Sequence, residues 1–184
     1  MKHMSFAVLA CTALLLSVFV GAVQSNAATA PAATPVPYAM PNFSSMKLLM
    51  GTWTCRGIVR GKTRPDTSTT TMGEGGQYMV THDVAPPFDK YRARAVVSDT
   101  YLTYNPINKM WVTLNVDNFG GYFVSMSPGW HGNTLTTTAK MTNDGSTGSD
   151  VLTKISNTQT SDMAVNTDPK GHVTHVKTMC TKTG

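Results

Sequence analysis

From Gly51 onward the hydrophobic positions recur with a period of two rather than 3.6. Met110 to Asp117 is the clearest case, with Val112, Leu114 and Val116 on one face and Trp111, Thr113 and Asn115 on the other. In 77–84, Tyr78, Val80, His82 and Val84 likewise share a face. A two-residue period places alternate side chains on opposite sides of a β-strand. Gly, Pro and Asn-Asp-Gly clusters punctuate these runs, among them Asn105-Pro106, Asn118 to Gly121, Asn143-Asp144-Gly145 and Asp168 to Gly171. The pattern predicts about ten strands: 50–60, 67–74, 77–84, 92–104, 110–117, 122–127, 134–142, 150–157, 160–166 and 172–182. Helical spacing is confined to one turn near Met46–Met50, with Asn42, Ser44 or Ser45 placed to cap it.

Ten short strands joined as successive hairpins predict an all-β fold, an up-and-down antiparallel β-barrel with the helical turn plugging one end. A β-sandwich has the same periodicity, but the absence of a long crossover favours the barrel. Gly51 and Trp53 on the first strand sharpen the expectation. The glycine lets the chain pass close under the barrel end, and the indole fills that end.

The segment before Asn42 reads differently. Lys2 and His3 precede an apolar stretch, Phe6 to Val20, and Ser25-Asn26-Ala27 supplies a small-x-small site. This predicts an export signal over 1–27 with cleavage after Ala27. The apolar stretch is shorter than the roughly 20 residues of a membrane span, so no stable membrane span is expected. Residues 28–41, rich in Ala, Thr and Pro, read as an extended tether, and 42–184 as the folded domain. The expected localisation is secreted or periplasmic.

The chain has 15 Lys and Arg against 10 Asp and Glu, a formal net charge of +5, of which Lys2 within the signal supplies one unit. The basic residues are dispersed apart from Arg56 to Arg64 and Lys90 to Arg94, and read as a solvated surface. No dense basic face interleaved with aromatics predicts a nucleic-acid partner.

The run from Tyr101 to Asn118 carries a Tyr-Asn-Pro turn leading into Trp111 and a strand ending Val116-Asp117; Gly132 to Thr136 reads Gly-Asn-Thr-Leu-Thr. With Gly51-x-Trp53, these motifs resemble an uncharacterised bacterial family of lipocalin-like proteins classed as a domain of unknown function. They resemble nitrobindin-like barrels more distantly. The resemblance covers about 47–182 and implies a barrel fold and no particular activity. Nitrobindin-type barrels hold haem through a histidine on a late strand, and the surroundings of His175 are similar to that region.

Cys55 and Cys180 are the two cysteines that remain after signal removal. They sit on the first and last strands, neighbours in a closed barrel, and are expected to form a disulfide. The other candidate contacts are Tyr78, His82, Tyr104, Trp111, Tyr122 and Trp130, as ligand-lining residues or as ordinary barrel packing. Asp83, Asp99 and Asp117 lie near strand ends, and Asp117 suits a turn cap. With Trp53, Cys55 and Cys180 on one face, His175 is expected on the other. No nucleophile, base and oxyanion donor converge by spacing, no histidines stand at metal-ligand spacing on one face, and no cofactor is expected. The expected function is binding of a small, largely apolar molecule in the barrel interior. A structural or interaction protein with a filled barrel is the alternative, and haem binding ranks below both.

Overall fold

A computed structural model describes residues 40–59, 61–87 and 93–184. The expected signal (1–27) and nearly all of the tether (28–41) lie outside the described residues. Eleven strands follow one another: β1 Gly51–Val59, β2 Lys62–Met72, β3 Met79–Ala85, β4 Val96–Asn105, β5 Met110–Asp117, β6 Tyr122–Ser127, β7 Trp130–His131, β8 Thr134–Thr142, β9 Thr147–Lys154, β10 Gln159–Thr167 and β11 Val173–Lys182. Ten of them form a closed antiparallel barrel in sequence order. β1 pairs with β11, and β6 pairs directly with β8. The two-residue β7 stands outside the ring as a hairpin partner of the start of β8.

Two strands start earlier than the sequence pattern places them. β2 begins at Lys62 rather than 67. Gly61, at φ +74°, turns the chain tightly, and Val59 pairs with Lys62. Pro65 obscures this in the sequence because proline lacks the N–H a ladder needs. It is tolerated because the β2–β3 ladder begins only at Thr67, beyond Pro65. β9 begins at Thr147 because Asn143-Asp144-Gly145 closes a short hairpin, with Asp144 Oδ1 accepting from Ser146 N at 2.9 Å.

One end of the barrel is plugged. The expected helical turn is a 3-10 helix, Phe43–Leu49, capped by Asn42 Oδ1 accepting from Ser44 N at 3.0 Å. Met46 on it is fully buried and packs with Met79, Trp111 and Leu135; Phe43, Leu49, Leu102, Tyr104, Trp130 and Leu152 surround them. Trp53 donates Nε1–H to Leu49 O at 3.1 Å, tying β1 to the plug. Gly51, at φ +99°, lies so close to the backbone of Gly184 that an added Cβ would sit 2.4 Å from its carbonyl oxygen. The sequence expectation of a close backbone passage under the barrel end holds here.

The β1–β11 seam is covalently closed. Cys55 and Cys180 are register partners, with Sγ atoms 2.08 Å apart and Cα atoms 4.0 Å apart. Cys55 is buried on the inner face with Trp53 and Gly57. That assignment propagates through the register to every strand. Cys55 pairs with Asp66, Trp53 with Ser68, Ser68 with Asp83, Asp83 with Ser98, and Ser98 with Asp117. The inner face away from the plug is therefore polar. On β5 the aliphatic set Val112, Leu114 and Val116 faces outward, and Trp111, Thr113 and Asn115 face the lumen.

Candidate functional site: the barrel lumen

Ten strands enclose a wider bore than eight, and eight already leave an interior that side chains just fill or that holds one small ligand. Many of the inward side chains beyond the plug are small, among them Gly57, Ser68, Thr70, Thr81, Ser98, Thr100, Ser125, Ala139, Gly148, Ala164 and Thr178, while Arg64 and Phe123 are the large exceptions. A wide bore lined by short side chains leaves space. A cavity of about 170 Å³ sits above the plug, lined by Leu49, Trp53, Leu152, the disulfide Cys55 and Cys180, and the hydroxyls of Ser68, Thr70, Thr81 and Thr160. Farther from the plug, a cavity of about 230 Å³ is lined by Phe123, Ser125, Ala139, Gly148, Asp150 and Asn166, among others. Two larger hollows, about 410 and 330 Å³, lie outside the lumen beside the 3-10 helix and the β4–β5 turn.

Hydrogen bonds fix several lumenal side chains. Thr70 Oγ1 and Thr81 Oγ1 are 2.8 Å apart, Asn115 donates to Thr100 at 2.8 Å, and Thr137 donates to Asp150 at 3.3 Å. Besides Asp117 at its strand end, four carboxylates among the described residues project inward: Asp66 and Asp83 on β2 and β3, and Asp150 and Asp162 on β9 and β10. Burial raises the pKa of all four, because loss of solvent penalises the charged form. Asp83 is pushed up to about 6, with a hydrogen bond from Ser68 opposing and the Asp66 charge adding to the rise. Asp162 is pushed up to about 7 by burial and then by the Asp150 charge. Asp66 is raised by burial, partly offset by the Arg64 guanidinium. Its Oδ1 is buried and accepts no hydrogen bond. Asp150 is raised by burial, with its Thr137 bond opposing.

The candidate residues divide by face. Tyr104 and Trp111 face inward, with ring centroids 5.2 Å apart, and belong to the plugged end. Trp130, on β7, packs against the same cluster. Tyr78, His82 and Tyr122 stand on the outer side. Tyr78 rests against the exposed ring of Tyr101 with centroids 5.9 Å apart. His82 bonds Asp99 through Nδ1 at 2.8 Å on the barrel exterior. The period-two grouping of Tyr78, Val80, His82 and Val84 was sound, but it marks the outside, so these side chains do not line the lumen. His175 is exposed on the outer face, as the Cys55 register requires, and cannot hold a group within the lumen. His172 is in the β10–β11 turn, bonded to Asp168 at 2.8 Å. Asp117 caps its turn, accepting from Phe119 N and Gly121 N at 2.8 and 2.9 Å.

The lumenal residues that sequence reasoning missed are Arg64, Asp66, Asp150 and Asp162. Arg64 reads as solvated surface when β2 is started at 67. Starting it at 62 pairs Asp66 with Cys55 and turns both Asp66 and Arg64 inward. Asp150 and Asp162 follow from Thr160 pairing with Cys180, once the half-cystine is taken as inward.

Among the described residues, no group of three or more His, Cys, Asp or Glu side chains is placed to hold a metal ion, and no helix is long and apolar enough to cross a membrane. No protein-family model and no curated protein matches the chain.

Proposed function

We propose that this is an exported, lipocalin-like binding protein of the bacterial family its motifs resemble, and that it takes a small, largely apolar ligand into the barrel lumen. The observation that carries the reading is the lumen itself, a ten-stranded bore in which many of the inward side chains beyond the plug are short, leaving a partly open hollow above Trp53. Small-molecule sites are concave and mainly apolar, with a few fixed polar groups that orient the ligand. Here Leu49, Trp53 and Leu152 form the apolar floor, and the hydroxyls of Ser68, Thr81 and Thr160 stand around it. The ligand's apolar part lies against the floor, and its hydrogen-bonding end points away from the plug toward the polar half of the lumen. Tyr104 and Trp111 support the floor from beneath. The disulfide supports the export part of the reading, since such bridges persist in oxidising compartments.

The test is native mass spectrometry of the protein purified from its own host, followed by titration of extracted ligand into stripped protein with Trp fluorescence as readout. A bound small molecule that shifts the emission, and whose effect is lost in Leu152→Arg, is expected. Protein that carries nothing and gives no response to host lipid or metabolite extracts would overturn the binding reading in favour of a filled, structural barrel.

A further inference from the structure

The outer surface of the barrel is uneven. On the β11–β1–β2 side the outward residues are mostly Thr, Lys, Arg and His, including Arg56, Thr67, Thr69, His175 and Lys177. On the β3–β6 side they are aliphatic and aromatic. Register places Val80, Tyr101, Leu114, Val124 and Met141 in one unbroken row across five strands. Val116 and Tyr122 flank that row on one side, and Val112 and Met126 on the other. Leu114 and Val116 are each 39% exposed, Tyr122 40% and Met141 52%. An aliphatic residue in the middle of a strand whose other neighbours are also apolar gains nothing from water, and a contiguous patch of this kind marks an interaction site.

We infer that this face binds a second copy of the chain, making a reversible two-fold dimer. Three observations select that occupant. The first is charge. The protein is basic overall, yet β3 to β6 contain no Lys or Arg and β8, the fifth strand of the face, carries only Lys140, so this is a side on which two like-charged molecules approach with little repulsion. The second is composition. The face is rich in Tyr and Met and poor in Lys and Glu, the signature of an interface core, and a two-fold axis lets one such patch meet itself. The polar pair on it, His82 and Asp99, is already hydrogen-bonded internally. Asp99 also sets the face against an anionic lipid surface. The third is size. Four inter-strand spacings by about six residues of strand give roughly 400 Å² in projection. Because the barrel is convex, the contact falls below the roughly 800 Å² per partner of a typical specific interface. A weak, concentration-dependent dimer follows rather than an obligate one.

Sedimentation velocity on the purified protein from about 1 to 200 µM tests this, in about 50 and 500 mM NaCl. A monomer–dimer equilibrium with a micromolar Kd is expected, tightening at higher salt because like charges are screened while the apolar contact is not. Leu114→Lys weakens it at least tenfold, since a two-fold axis places the new charge in the contact twice; Thr153→Lys on β9 leaves it unchanged. Near-ultraviolet circular dichroism checks that the variants stay folded. Should Leu114→Lys unfold, Val116→Thr, a milder change on the same face, serves, with a weakening of about threefold expected. A protein that stays monomeric at 200 µM overturns the inference. So does a dimer indifferent to the β5 substitutions, or one that loosens with salt. Binding to neutral or anionic vesicles without self-association also overturns it and reassigns the face to lipid.

Discussion

The two ends of the barrel share strands, hydrogen-bond ladders and a covalent seam, yet they are built by opposite rules. At the plugged end the inward positions carry large apolar side chains. Met46 and Met79 are essentially inaccessible, and Trp111 packs between a tilted Phe43 ring and an edge-on Tyr104 ring, with centroids 5.4 and 5.2 Å away. At the other end the same alternation delivers Ser, Thr, Asn and Asp to the lumen. Within β5 alone, Trp111 belongs to the core and Asn115, two inward positions on, bonds Thr100 across a polar wall. The comparison separates stability from capacity. Close packing at one end holds the fold, and so the other end is free to keep room and ionisable groups that a packed core does not tolerate.

The largest expected effect tests what joins the ends. Removing the bridge with Cys55→Ala and Cys180→Ala frees a loop with a sequence separation of 125. The chain-entropy model assigns such a loop roughly 4–5 kcal/mol. A loss of about 4 kcal/mol is expected in urea unfolding, with Trp fluorescence and far-ultraviolet circular dichroism moving together. If the two signals separated, the ends would be independent units and the comparison would describe two folding domains rather than one.

Next, Trp111→Ala is expected to cost about 3–5 kcal/mol, the range for deleting a large buried aromatic, whereas Asn115→Ala on the same strand is expected to cost under about 1 kcal/mol. Equal losses would mean that the polar end packs as tightly as the plug. Both are read from urea midpoints at constant slope.

Third comes pH. Asp162 is raised to about 7 and Asp83 to about 6 in the folded protein, against a carboxylate model value of 3.8. A raised folded pKa means that the native state binds more protons than the unfolded chain. The contribution is therefore fully present below about pH 4 and is lost as pH rises through 6 and 7. Thermal stability should fall between pH 5 and 8. Asp162→Asn should flatten that fall and raise stability at pH 8 by about 2 kcal/mol, allowing for partial solvation. Asp144 and Asp168 carry lowered pKa values through local hydrogen bonds, chiefly to Ser146 and His172. Their contribution has the opposite sign and fades below about pH 4, outside this window. A flat profile from pH 5 to 8 would place Asp162 in contact with solvent and erase the electrostatic half of the comparison.

The smallest effect probes the plug alone. Asn42→Ala removes the side-chain acceptor at the start of the 3-10 helix and is expected to cost about 1 kcal/mol. It should leave the pH profile unchanged, because the lumenal carboxylates lie beyond the plug.

Much of this architecture was legible in the sequence because strands announce their ends. Asn105-Pro106, Asn118 to Gly121 and Asp168 to Gly171 are turn chemistry, and β5, β6, β8 and β10 between them fall within a residue or two of the pattern, while β9 is shifted by three. The cysteine pairing followed from closure, since the first and last strands of an up-and-down barrel must meet. The outer and inner faces were harder. Period two sorts side chains into two sets without saying which set is inside, and the usual guide, that apolar residues go in, inverts on β5. Trp130-His131 escaped as a strand because two residues carry no periodicity. The 3-10 geometry of Phe43–Leu49 escaped because one turn fits either helix. The lumenal aspartates stayed hidden for a different reason: the orientation of Asp66 depends on the register of β2 against β1, which one misplaced strand start was enough to lose, and that of Asp150 and Asp162 on the registers of β10 against β11 and β9.

The bridge between Cys55 and Cys180 also governs how the molecule carries mechanical load. Tension applied to chain on the two outer flanks of the bridge passes through the sulfur–sulfur bond and bypasses everything between. β2 to β10 then feel no pull, and their ladders are neither sheared nor unzipped. With a sequence separation of 125 and roughly 3.3–3.6 Å per extended residue, some 400 Å of contour stays locked within the loop. Only a reductant releases that length, so the reach of the barrel under tension is set by redox chemistry rather than by force.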